Sequence, residues 1–86
     1  MNFRFSRHAE EELVRRQIPR TALEAVLEHP QQRVPHRAGT EILQSLLESR
    51  DGRMYLLRAV VAVDKAPPVV VTVYRTSKID KYWRAL

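Results

Sequence analysis

Six residues near the end of the chain, Val69-Val70-Val71-Thr72-Val73-Tyr74, constrain its fold more than any others. Five of the six are β-branched. Such side chains are stiff in a helix and pack well on a pleated surface. The segment reads as a buried strand. It runs directly into Arg75-Thr76-Ser77-Lys78-Ile79-Asp80-Lys81-Tyr82-Trp83-Arg84. Hydrophobic strands usually end in neutral polar turns, whereas this one ends in cations, hydroxyls and two aromatic rings. That mixture can hold a phosphate, donate a proton and stack on a base. A chemical site is expected here, on a rigid strand end.

Two short helices are expected upstream to cover the strand. Phe3 and Phe5 alternate over residues 2–5, which read as a short strand or an extended lead-in. Ser6 is a good cap for a helix over about 7–17, and Glu10, Glu11 and Glu12 suit its positive end. Ala9 and Leu13, with Val14 beside them, supply a buried stripe. Pro19 stops this helix and fits the start of a second one over about 20–28, with Ala22, Leu23, Val26 and Leu27 on one face. Helices joined this tightly should form a hairpin with both stripes toward one sheet.

The remainder reads as strands. Gln31–Arg37 contains Pro35 and should lie at an edge. Glu41–Ser49 fits either helical or strand spacing. Asp51-Gly52, a pair that closes two-residue hairpins, favours the strand, with Arg53–Val63 as its partner. Asp64–Pro68 is a turn before the final strand, Val69–Arg75. Helices followed by strands make an α+β fold. The expected fold is therefore a helical hairpin (about 7–17 and 20–28) packed on a three- to four-stranded antiparallel sheet as a two-layer sandwich. In the final strand Val69, Val71, Val73 and Arg75 share the helix side, and Val70, Thr72, Tyr74 and Thr76 share the open side, unless a bulge reverses the register.

A chain of 86 residues allows a single domain, over residues 1–86, and one core. It has no cysteine, which removes disulfides and thiolate zinc sites. No apolar stretch follows Met1–Ser6 as in a signal peptide, and none approaches the roughly 18 residues of a membrane helix, so a cytoplasmic protein is expected. The net charge of +5 favours an acidic partner such as nucleic acid or an acidic protein, although small proteins are also basic for solubility alone.

Candidate chemistry falls into three groups. His8 begins the first helix, where it could act as an acid or base or simply remain a surface residue. Arg75, Lys78, Lys81 and Arg84 could follow a phosphate backbone while Tyr82 and Trp83 stack on bases, or the tail could fray with Trp83 packed on the core. Arg58, with Arg50, Arg53 and Tyr55 nearby, interrupts an apolar strand and either meets solvent or lines the open face of the sheet. Arg75 would emerge at the sheet rim, where the first helix could bring His8 close. His29 and His36 lack metal-ligand spacing, so no metal and no cofactor are expected.

Phe5-Ser6-Arg7-His8-Ala9 followed by Arg16-Gln17-Ile18, and Val71-Thr72-Val73-Tyr74-Arg75-Thr76-Ser77-Lys78, resemble the opening and the closing strand of the DUF4258 family. Together they span nearly the whole chain. The family has no characterised function and is similar in layout to RelE- and BrnT-like toxins, within the barnase–EndoU–colicin–RelE-like nucleases. Those are small, basic, metal-independent ribonucleases, often paired with an antitoxin. The resemblance implies that His8 matches a helix-one histidine and that Arg75, Thr76, Ser77 and Lys78 match a polar strand end. It also implies that Tyr82 stands where many RelE-like toxins keep a C-terminal tyrosine. Glu12 departs from the members that carry arginine there.

The expected function is thus a toxin-like endoribonuclease, attacking an RNA phosphate with the neighbouring 2′-hydroxyl. His8 or Tyr82 would transfer protons, and Arg75 and Lys78 would hold the phosphate with Thr76 or Ser77. Tyr74, Lys81, Trp83 and Arg58 would bind the strand. RNA, free or on the ribosome, and an antitoxin are the expected partners. The alternatives are a non-catalytic module binding RNA or an acidic protein through the same basic tail, and a structural or regulatory subunit.

Overall fold

The chain enters its first helix through Ser6. The Ser6 hydroxyl accepts from the Ala9 N–H at 3.0 Å and donates to the Val71 carbonyl at 2.8 Å. One side chain therefore caps the helix and ties it to the last strand. In the computed structural model, which describes residues 2–85, the elements are β1 (Arg4–Phe5), α1 (Arg7–Arg15), α2 (Arg20–Glu28), β2 (Gln32–Pro35), β3 (Thr40–Glu48), β4 (Met54–Ala62), β5 (Val69–Thr76) and α3 (Ile79–Tyr82).

α1 ends sooner than Pro19 requires. Gln17 adopts a left-handed backbone, φ 53°, and its N–H bonds the Val14 carbonyl while that of Ile18 bonds the Leu13 carbonyl. This is a Schellman stop with glutamine in the place glycine usually takes, and Leu13 and Ile18 are both buried in the core. Val14 is 80% exposed, against expectation, and the buried stripe is Ala9, Glu12 and Leu13. α2 buries Leu23, Val26 and Leu27.

The sheet corrects the expected architecture. It has five strands in the order β1-β5-β4-β3-β2 and is mixed, not three or four antiparallel strands. β1 pairs in parallel with β5, Arg4 opposite Val69 and Phe5 opposite Val70, and the other neighbours are antiparallel. Two residues are too few to show a period. A parallel partner lies across the whole chain, where no local turn announces it. β2 is the other edge, with Pro35 as its last residue. The β3–β4 hairpin is also longer than the expected two-residue turn. Ser49 and Arg53 still pair across it, and Gly52 closes the loop at φ 83°, the glycine-bulge form of a three-residue connection.

A bulge in β5 shifts the valines. Val60 pairs with Thr72 but Val61 with Val70, which leaves Val71 without an opposite residue and 38% exposed. The helix-facing residues are thus Val70 and Val73, both fully buried, and not Val69, Val71 and Val73. With Leu43, Leu57, Ala59 and Val61 they meet the helices in one core, α1 lying over β5 and α2 over β3 and β4. Beyond the bulge Arg75 shares the side of Leu57, and Tyr74 the side of Arg58.

Ser6→Ala removes both the cap and the tie to β5. It should cost about 1–2 kcal/mol, read as a lower urea midpoint. Glu12 provides a pH test. Hydrogen bonds from Arg15, at 2.7 Å, and Arg16, at 2.6 Å, hold its carboxyl down to about 2 from 4.5. The unfolded chain therefore binds the extra proton first. The stability from this cluster is complete above about pH 4.5 and is lost as the pH falls through 2. Thermal midpoints followed from neutral pH into acid should fall less steeply below pH 4.5 in Glu12→Gln than in the parent.

Candidate functional site

The face of the sheet away from the helices is built around Arg58. On β4, alternation puts Leu56, Arg58 and Val60 on this face, opposite Thr76, Tyr74 and Thr72 of β5 and Leu46, Gln44 and Ile42 of β3. Arg58 is 6% exposed and Gln44 fully buried. Its position within an otherwise apolar strand is what buries it.

The guanidinium is held on two edges and one face. Its Nε donates to Gln44 Oε1 at 2.8 Å, and Nη1 donates to the Tyr74 hydroxyl at 2.5 Å. The Tyr82 ring covers it with Cζ 4.2 Å from the centroid, and Tyr74 and Tyr82 meet edge to face at 6.3 Å. A guanidinium has five N–H groups, and two are used here. Among the described residues no fully enclosed side-chain nitrogen or oxygen lacks a partner, so Nη2, which makes no hydrogen bond there, is not fully enclosed. Among the described residues no carboxylate pairs with Arg58. A buried cation without a counter-ion is costly unless hydrogen bonds satisfy it, and an anion would supply the missing charge.

The tail seals this cluster. Gln44 Nε2 donates to Gln32 Oε1 at 2.8 Å and to the Tyr82 carbonyl at 3.2 Å. Gln32 in turn bonds both the N–H and the carbonyl of Arg84. The expected open face is therefore covered at its centre by the segment after β5. One turn of helix, α3, brings Tyr82 back over the sheet.

A second feature lies at the end of the sheet. An open groove of about 430 Å³ is lined in part by Asp51, Arg53, Tyr55, Arg75, Thr76 and Ser77. The Arg75 guanidinium stands 5.8 Å from the Tyr55 ring centroid, on the helix side of β5. The single carboxylate lining the groove, Asp51, is turned to the Ser49 hydroxyl and the Arg53 N–H. These hydrogen bonds, Ser49 first, hold its carboxyl below its usual range.

The residues singled out from the sequence thus do not form one site. Arg58, Tyr74 and Tyr82 form one cluster, with Lys81 Nζ 5.3 Å from the Tyr82 ring. Arg75, Thr76 and Ser77 line the groove. Lys78 is exposed, its N–H bonded to Thr76 Oγ1, and Trp83 is half-buried at the end of α3. His8 is exposed on α1 and makes no side-chain hydrogen bond among the described residues. The α1 cap is pinned at Val71, four residues before Arg75, about 13 Å of extended strand. Sequence reasoning missed Gln32 and Gln44, since a glutamine gives no motif. The signal for Gln44 was a polar residue inside Ile42–Leu47, where a buried strand face tolerates one only if it is bonded, and Gln32 carried no such signal.

Charge is segregated. Glu10, Glu12 and Glu41 pair with Arg20, with Arg15 and Arg16, and with Arg33. Around the cluster and groove Arg58, Arg75, Lys78, Lys81 and Arg84 join no ion pair among the described residues, while Asp51 stands 3.7 Å from Arg53 in the groove and Asp80 lies between Lys78 and Lys81 in sequence. Among the described residues no helix is long and apolar enough to cross a membrane.

Gln44→Ala would leave the Arg58 Nε–H without its acceptor and would remove the Gln44 donor from Gln32 Oε1 and from the Tyr82 carbonyl. It should lower stability by about 1–3 kcal/mol in urea unfolding, against near-neutral change for an exposed site such as Glu24→Ala.

No curated protein and no solved structure matches this chain. The model of one family, described as a domain of unknown function, matches residues 5–75, from the β1 strand through Arg58 and Tyr74 to Arg75. That match spans most of the sequence, and the chain belongs to the DUF4258 family.

Proposed function

We propose that this chain is a toxin-type, metal-independent endoribonuclease that acts in the cytoplasm and is held in check by an antitoxin. The observation that carries the reading is Arg58, buried to 6% with no carboxylate partner among the described residues and with N–H groups left for an anion. A planar guanidinium fixed on one edge by Gln44 is suited to grip two oxygens of a phosphodiester. Tyr74 accepts its hydrogen bond from Arg58, so its own hydroxyl proton is free to be donated.

In this reading the RNA 2′-hydroxyl attacks the adjacent phosphorus, the bond to the 5′-oxygen breaks, and a 2′,3′-cyclic phosphate remains. Arg58 neutralises the charge that builds on the phosphate. Tyr74 gives its proton to the departing 5′-oxygen, and the Tyr82 hydroxyl, on a ring whose centroid is 6.3 Å from that of Tyr74, relays the proton leaving the 2′-hydroxyl to solvent. Lys78, Lys81 and Arg84 attract the flanking phosphates, and Trp83 offers a stacking surface.

A specific observation favours a second reading. The chain's own tail occupies Gln32 and Gln44, and the Tyr82 ring covers Arg58, as in a module that binds RNA or an acidic protein without reacting.

The test is incubation of mixed RNA in EDTA with the parent, Arg58→Gln and Tyr74→Phe, scoring cyclic-phosphate ends. The nuclease reading expects cleavage by the parent and a loss of about 10²–10³-fold in each variant, with Tyr74→Phe retaining RNA affinity. Salt-sensitive binding without cleavage by any of the three would leave the binding module. Cleavage unchanged in Arg58→Gln would sink the proposed site.

A further inference from the structure

We infer that the groove at the end of the sheet is a second nucleotide subsite, which takes a base against Tyr55 and a phosphate on Arg75. The inference rests on the reading of the Arg58 face as an RNA site and extends it around the end of β5. Three observations carry it.

The first is the composition and size of the groove. About 430 Å³ lies within the range of small-ligand sites, roughly 300–1,000 Å³. Its lining offers two guanidiniums, from Arg53 and Arg75, two hydroxyls, from Thr76 and Ser77, and an aromatic face. These are the groups that a single-stranded nucleotide needs, because a cation tracks the backbone and an aromatic ring stacks on any base.

The second is the state of its charges. Arg75 joins no ion pair among the described residues and stands over the Tyr55 ring, 5.8 Å from its centroid. The Asp51 carboxylate faces its own loop, bonded by Ser49 and by the Arg53 N–H. Arg53 Nε stands 3.7 Å from Asp51 Oδ2, which leaves Arg75 as the groove cation that an incoming anion meets without an ion-pair partner among the described residues.

The third is continuity with the Arg58 face. Tyr74 and Arg75 are consecutive on β5 and point to opposite sides of the sheet. The strand ends one residue later, and Thr76 belongs both to the side of Tyr74 and to the groove lining. A single RNA strand can thus pass from Arg58 over Thr76 into the groove without crossing the sheet. The subsite would read a nucleotide flanking the one bound at Arg58.

The experiment measures binding of uncleavable 2′-O-methyl oligonucleotides, two to ten nucleotides long, by fluorescence anisotropy. The proteins are the parent, Arg75→Ala, Tyr55→Leu (which keeps the apolar bulk of a half-buried ring) and Arg58→Gln. In the parent, affinity should rise with length. Arg75→Ala and Tyr55→Leu should each weaken the decamer about tenfold more than the dinucleotide, the scale of one base–aromatic contact. Arg58→Gln should weaken every length. If Arg75→Ala and Tyr55→Leu weaken all lengths equally, or none, the groove is not a flanking subsite. If Arg58→Gln changes nothing while the length-dependent loss persists in the other two, the Arg58 reading fails and the groove stands. Absence of binding at every length in the parent overturns the groove as an RNA subsite.

Discussion

The antiparallel pairing of β4 with β5 sets the rest of the molecule. It places Ala59 opposite Val73 and Leu57 opposite Arg75 on the side of the helices, and Arg58 opposite Tyr74 on the other. Strand alternation makes these assignments rigid, because a slip of one residue would move every side chain to the wrong face. The bulge at Val71 is a local exception of this kind. It absorbs one residue so that Val70 and Val73, three apart in sequence, both enter the core. Without it either Val70 or Val73 would leave the core and the β5 contact with α1 would be lost. Ser6 acts on the same spot, since its hydroxyl bonds the Val71 carbonyl that the bulge displaces from regular pairing.

The two faces of the sheet solve opposite problems. One buries hydrocarbon, and dispersion and the hydrophobic effect suffice. The other buries a guanidinium and the Gln44 carboxamide, with Gln32 half-buried beside them, and each buried polar group must find a partner. Gln44 is central because a carboxamide both accepts and donates. It accepts from Arg58 and donates to Gln32 and the Tyr82 carbonyl. The tail is thereby tied to the sheet through polar contacts rather than through a core of its own, and the cationic residues of that tail are gathered near Arg58. A fold that only had to be stable would gain from an apolar residue at 58, since uncompensated buried charge is costly.

Much of this was legible in the residues. The helix periods, the Ser6 cap, the edge position of β2, the strand character of residues 40–48 and the side taken by Arg75 all follow from local rules. These rules work because capping, proline chemistry and alternation act over a few residues. Val14 shows where they fail. Its spacing suits the buried stripe, but the chain turns at Gln17 and Ile18 takes the core position, while Glu12 is buried under two arginines. The parallel β1–β5 pair and the bulge were not legible, because both depend on which distant strand lies alongside.

The residues alone set the inventory: a basic chain with two short amphipathic helices, a valine-rich last strand, and cations, hydroxyls and aromatic rings after it. Membership in DUF4258 is also a property of the sequence, carried by residues 5–75. Only the tertiary structure decided how that inventory is divided. It buried Arg58 with Gln44 and Tyr74, folded Tyr82 back over it, set Arg75 beside Tyr55 in the groove, and left His8 apart on α1. The physical reason is that long-range strand register and buried polar pairing depend on residues far apart in the chain. Local composition holds no record of which of them will meet.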